Sequence, residues 1–174
     1  ITTARKTLAK EINAKPQELI FTSGGTESNN LAIQGLAKAF PKKKTIIISE
    51  IEHPSIQEPC NYLQTQGYNI IKIPVNKEGM INLSILEKEI KNNLEDILLV
   101  SIMHVNNVIG TIQDTEKIGL ICKLHNIPFH TDAAQSFGKL EIDVKKFNIG
   151  LLRKAGARNC SAMAAPMRRA KRSK

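Results

Sequence analysis

The order of apolar and polar positions divides the chain into alternating helices and strands. Ala4, Leu8 and Ile12 recur every four residues, so the spacing predicts an amphipathic helix over 2–14, closed off by Pro16. Residues 18–22 read as a short strand. The helical spacing of Leu31 to Phe40 predicts a helix over 27–40, ended by Pro41. Thr45 to Ser49 is a continuous run of β-branched residues closed by a serine, the kind buried on both faces of a parallel sheet. A helix follows over 54–67 with Gly67 as its stop, then a strand over 69–75 and a turn at Asn76 to Gly79. Ser84 with Glu87 three residues on reads as a capping box opening a helix over 84–93. Residues 97–102 form another buried strand. Asp114 caps a helix running to His125, Asn126 stops it, and residues 127–131 are the next strand. Strands alternating with helices across short loops predict an α/β fold. Its form is three α/β/α layers around a mostly parallel sheet, with one large domain over residues 1–150.

Charge changes that picture at one end only. The 174 residues carry a formal charge of +9, but residues 1–150 hold 17 basic and 16 acidic side chains. Residues 151–174 hold 8 basic side chains and no acidic ones. The basicity therefore belongs to a terminal segment, and a nucleic-acid-binding face on the domain is not expected. No apolar run approaches the roughly 20 residues of a membrane helix. The first residues make no signal peptide. They lack Met and start inside a helical pattern, so a chain truncated at its N-terminus is expected. Cys60, Cys122 and Cys160 are odd in number and widely spaced. They form neither a disulfide framework nor a metal motif, and a reducing compartment fits them.

In a parallel sheet, ligands gather outside the carboxyl ends of the strands, so the residues just after each strand are the ones to collect. After the first come Gly24, Gly25 and Thr26, leading into a helix. That turn is either an anion cradle, with glycines for close approach and helix N–H groups for charge, or a plain strand-to-helix spacer. Thr22, Ser23 and Thr26 offer hydroxyl donors to the first reading. No nucleotide fingerprint fits, so a phosphate not belonging to ATP or NAD is the sharper expectation. The later strands end on Glu52-His53, on His104 to Asn107, and on Asp132 to Ser136. Taken singly, His53 is a surface or satisfied core histidine and Asn107 a loop residue. Asp132 follows an apolar strand, and a poorly solvated carboxylate needs a cation or hydrogen-bond donors. A protonated pyridine nitrogen is one such partner.

Four ordered segments carry a resemblance. They are Thr22-Ser23-Gly24-Gly25-Thr26-Glu27-Ser28-Asn29-Asn30, Glu52-His53, His104 to Thr111, and His130 to Lys139. Together they resemble the cysteine desulfurases of the class V aminotransferase group, fold-type I enzymes of pyridoxal 5′-phosphate (PLP), in their housekeeping and nitrogen-fixation form. The resemblance runs from residue 1 to about 150. It implies that Gly25 and Thr26 hold the cofactor phosphate, that His53 stacks on the ring and handles protons, and that Asn107 lies near the ring oxygen and the substrate carboxylate. It implies further that Asp132 pairs with the pyridine nitrogen and that Gln135 bonds the ring oxygen. No metal is implied. The implied reaction converts L-cysteine to L-alanine, with sulfur leaving as an enzyme persulfide for an iron–sulfur scaffold protein. The implied assembly is a homodimer, in the cytoplasm or, in a eukaryote, the mitochondrial matrix.

The resemblance breaks near residue 150. The family continues with Ser-Gly-His-Lys or Ser-Ala-His-Lys, whose lysine forms the Schiff base. This chain reads Gly150-Leu151-Leu152-Arg153-Lys154-Ala155-Gly156-Ala157-Arg158. Arg158 stands where the lysine is expected, and a guanidinium is no amine nucleophile. Lys154 is out of register. Cys160 has no context matching the family's catalytic cysteine. A frameshift or chimeric junction would account for a basic segment unrelated to the family over 151–174. The reading is thus a cysteine desulfurase in partial, inactive form. The alternatives are a non-catalytic fragment binding PLP or a partner, and another class V aminotransferase or selenocysteine lyase.

Overall fold

A computed structural model describes residues 2–154 and 161–164. Their order is α1 (Thr2–Glu11), β1 (Leu19–Thr22), α2 (Gly25–Ala39), β2 (Thr45–Ser49), α3 (Pro54–Thr65), β3 (Asn69–Ile73), α4 (Leu83–Asn92), β4 (Ile97–Ser101), α5 (Thr115–Leu124), β5 (Phe129–Asp132), β6 (Leu151–Lys154) and β7 (Ser161–Ala164). The strands form one sheet in the order β1-β7-β6-β5-β4-β2-β3. Neighbours from β3 through β6 pair in parallel, and β7 runs antiparallel to both β6 and β1. The sheet thus takes two strands from the basic segment after residue 150.

Side-chain alternation along β2 builds the layers. Ile46 and Ile48 pack with Ala32 and Ile33 of α2 and with Cys60 and Leu63 of α3. Ile47, between them, faces the opposite way onto Leu86 and Ile90 of α4 and Ile118 and Cys122 of α5. Every residue of β2 and β4 is buried, as expected of strands covered on both faces. Two helix starts show how local chemistry sets boundaries. Asp114 caps α5 by accepting from Lys117 N–H at 3.0 Å, as its position predicts. The start of α4 differs from the expected Ser84–Glu87 box. Asn82 is the cap, accepting from Ile85 N–H at 3.1 Å, because it lies just outside the helix while Ser84 is already inside it. Gly67 and Asn126 both take positive φ beyond their helices, 83° and 56°, which explains their choice as stops.

Candidate active site

The chain leaves β2 through α3 for β3 on one side, and leaves β4 through α5 for β5 on the other. Since β2 and β4 are neighbours, their carboxyl ends mark the point where the connections diverge, and open α/β sheets bind ligands there. Glu52 stitches the two ends together. Its Oε1 accepts from Ser49 Oγ at 2.5 Å and from the backbone N–H of Met103 at 2.8 Å. Outside this seam lies a cavity of about 220 Å³ that brings together His53, Asn107, Asp132, Gln135 and Arg153. A second cleft, of about 420 Å³, shares His53 and is lined by Thr26, Asn30, Gln34 and Tyr62. Of the six residues expected at the site, four therefore line one cavity and Thr26 lines the adjoining cleft. Gly25 is the first residue of α2 and abuts Arg153: a Cβ there would fall 1.5 Å from Arg153 Nη2.

Asp132 is the buried member, 4% exposed, while His53, Asn107 and Gln135 are exposed. Its carboxylate is fully engaged by protein. Oδ1 accepts from Ala134 N–H at 3.0 Å and from Arg153 Nη1 at 2.7 Å; Oδ2 accepts from Asn29 Nδ2 at 3.0 Å. Asn29 Nδ2 also donates to Ser55 Oγ at 2.8 Å, and Ser55 Oγ lies 2.8 Å from His53 Nδ1. The same Nδ1 accepts from Ser55 N–H at 3.0 Å and so caps α3. A ring nitrogen that accepts a backbone N–H carries no proton, so in neutral His53 the hydrogen sits on Nε2. A continuous polar chain thus joins His53 to Asp132 through Ser55 and Asn29. Sequence reasoning missed those two linkers and Arg153. Asn29 and Ser55 are buried polar residues near the starts of helices whose later turns pack by apolar ones, and their signal is spatial.

The turn before α2 differs from the hydroxyl-lined cradle predicted for it. The hydroxyl of Thr22 donates to Gly24 O at 3.1 Å and lies 2.8 Å from Ser28 Oγ. Ser23 gives both its N–H and its hydroxyl to Glu27 Oε2, each at 2.6 Å, which holds that carboxyl below the ordinary range. The turn folds these two hydroxyls onto itself, and Thr26 is the one facing a cleft. Asn106 likewise serves the loop, its Oδ1 accepting from Val108 and Ile109 N–H, while Asn107 lines the cavity. Lys154 is next to Arg153 on β6, and alternation sends it to the other face of the sheet, where Nζ sits 4.2 Å from the Phe137 ring centre. It is therefore not placed to reach the cavity. Arg158 and Cys160 lie outside the described residues. Burial pushes the thiols of Cys60 and Cys122 up to about 12 and keeps both inert. Among the described residues no three His, Cys, Asp or Glu side chains gather as a metal site.

A mostly parallel sheet with helices on both faces, a glycine turn opening a helix beside the cavity and a buried aspartate at a strand end define a class: large domains of the PLP-transferase-like α/β fold. The sequence profile of the Aminotransferase class-V family matches residues 1–162, and the chain belongs to that family. Its curated relatives include a protein of Ehrlichia chaffeensis named cysteine desulfurase IscS, 50% identical over 88% of this chain and 37% of the relative. Another, from Arabidopsis thaliana, is named cysteine desulfurase, mitochondrial, and is 45% identical over 86% of this chain and 32% of its own length. A solved structure described as SspA in complex with cysteine superposes with a TM-score of 0.89 at 39% identity, covering 94% of this chain and 48% of that one. The apo structure of the cysteine desulfurase of Thermococcus onnurineus NA1 gives 0.86 at 32% identity, covering 94% of this chain and 42% of that one. The chain thus spans about a third of the length of these curated relatives and just under half of these solved chains. No helix among the described residues is long and apolar enough to cross a membrane.

Proposed function

We propose that the chain is the cofactor-binding part of a PLP-dependent cysteine desulfurase, which converts L-cysteine to L-alanine and passes the sulfur on as a persulfide. The observation that carries this reading is the convergence of His53, Asn107, Asp132 and Gln135, from three remote segments, on one cavity beside the start of α2. In the complete enzyme Gly25 and Thr26 would hold the cofactor phosphate, His53 the ring face, Asn107 and Gln135 the ring oxygen, and Asp132 the pyridine nitrogen. An iron–sulfur scaffold protein would take the sulfur, a second copy would complete a homodimer, and the setting would be cytoplasm or mitochondrial matrix.

One residue of this chain does not fit that cofactor. Arg153 already supplies the cation that Asp132 needs, and its guanidinium lies against Gly25. The 174 residues are therefore expected to release no alanine. The same contact favours a second reading, a non-catalytic form of the protein.

The test replaces the matching segment of the Ehrlichia chaffeensis relative with residues 1–150 and measures alanine released from L-cysteine with PLP and a thiol reductant. The chimera is expected to turn over, and Asp132→Ala in it is expected to lower the rate on the order of 100-fold or more. A folded chimera that binds PLP but leaves L-cysteine unchanged would sink the desulfurase reading in favour of another class V reaction.

A further inference from the structure

We propose that the Arg153 side chain is an internal occupant of the cofactor cavity, holding the place of the pyridine ring and shutting the cofactor out of this chain. The inference rests on the reading of the cavity as a PLP site and adds to it the group that closes it. Three observations converge on Arg153. Its Nη1 lies 2.7 Å from Asp132 Oδ1, so the carboxylate that would keep a pyridine nitrogen protonated is already bridged by a permanent cation. Two cations cannot share one buried carboxylate without repelling each other. The rest of the guanidinium fills the space up to the first residue of α2: a Cβ on Gly25 would lie 1.5 Å from Nη2 and 2.2 Å from Cζ. That is the close approach a glycine leaves for a ligand, and here a side chain takes it. The fit is also costly for the arginine. Its Nε is buried without a partner among the described residues, and its charge faces the positive end of the α2 dipole. A group better matched to Asp132 than to the rest of its surroundings is an occupant that a single substitution should evict.

The alternation of β6 makes this specific to one residue. Lys154 turns to the opposite face and contacts Phe137, so shortening Arg153 opens the cavity without disturbing its neighbour's contact.

The test uses the full 174-residue chain and pyridoxine 5′-phosphate, which keeps the phosphate and the pyridine ring but has no aldehyde to react with surface lysines. Its affinity is measured by titration for the wild type, Arg153→Ser and Arg153→Gln, with circular dichroism confirming the fold of each. Both variants are expected to bind at least roughly tenfold more tightly than the wild type. The glutamine variant removes the charge and the guanidinium end that fills the space beside Gly25 while keeping the apolar stem, and it stands in if the serine variant does not fold. Equal binding by all three would overturn the occupant and leave the cofactor reading intact. Failure of every folded chain to bind would overturn both, since an emptied PLP cavity must accept the ring and its phosphate.

Discussion

The carboxamide of Asn29 donates to Asp132 Oδ2 at 3.0 Å and to Ser55 Oγ at 2.8 Å, and so ties α2 to the end of β5 and to the start of α3. One buried nitrogen thereby fixes three elements around the cavity. Replacing Asn29 with Ala removes donors from two buried acceptors. Each group left short costs about 1–3 kcal/mol, while the gain in helix propensity is at most about 0.7 kcal/mol. Asn29→Ala is expected to destabilise the chain by about 2 kcal/mol in urea titration. A loss below about 0.5 kcal/mol would show that water replaces the amide and that the tie is not structural.

This relationship was not legible in the sequence, although its surroundings were. The β-branched run of β2 announced a strand buried on both faces, and Asp114, Gly67 and Asn126 announced their helix ends, because those signals are local. The residues after β2, β4 and β5 could be collected as a site because parallel topology alone brings strand ends together. Asn29, by contrast, is one polar residue among several in Glu27 to Asn30, and nothing local distinguishes the buried Ser28 and Asn29 from their more exposed neighbours. Arg153 and the strands β6 and β7 were hidden for a related reason. Leu151 to Lys154 and Ser161 to Ala164 contain no β-branched residue, so their strand state comes from the neighbouring strands rather than from propensity.

Glu52 sets a pH dependence. Burial pushes its carboxyl up to about 8 from 4.5, against the hydrogen bonds from Ser49 and Met103. In the unfolded chain the group ionises near its ordinary value. Between those limits the folded state holds the extra proton, and stability falls as pH rises. His130 acts in the other direction. Burial lowers it to about 4 from 6.5, so it contributes stability above 6.5 that is lost as pH falls toward 4. Burial lowers His104 as well, so the slope from both histidines fades only as pH rises past 6.5, and the Glu52 effect dominates from about pH 7.5 to 8. The melting temperature is expected to drop across this range, and Glu52→Gln, which cannot ionise, is expected to flatten the slope. An unchanged slope in the glutamine variant would place the titrating group elsewhere.

Gly119 sits inside α5, where alanine would ordinarily gain about 0.8–1.0 kcal/mol of helix propensity. Here a Cβ would lie 1.8 Å from the carbonyl oxygen of Phe147 and 3.4 Å from the Phe129 ring. The first obstacle is backbone, so relief requires α5 and the segment before β6 to separate. Overpacking of this kind costs about 1–3 kcal/mol and outweighs the propensity gain. With the first obstacle being backbone, the cost lies at the upper end, and Gly119→Ala is expected to lower stability by up to about 2 kcal/mol, read by thermal and urea unfolding. A stabilised variant would mean that the approach of residue 147 to α5 is loose in solution.

His53 combines two roles that substitution can separate. Its Nδ1 caps α3, and its ring lines the cavity. Alanine removes both, and losing the cap costs typically about 1 kcal/mol. Asparagine is among the best capping residues and can accept from Ser55 N–H, but it presents no aromatic face. His53→Ala is expected to destabilise the chain by about 1 kcal/mol and His53→Asn by less than half of that. In the chimera with the Ehrlichia chaffeensis relative, both variants are expected to lose alanine release to a similar extent. If activity instead followed stability, with the asparagine variant retaining most of its rate, the imidazole would matter only as a cap, and the ring-facing role proposed for His53 would fail.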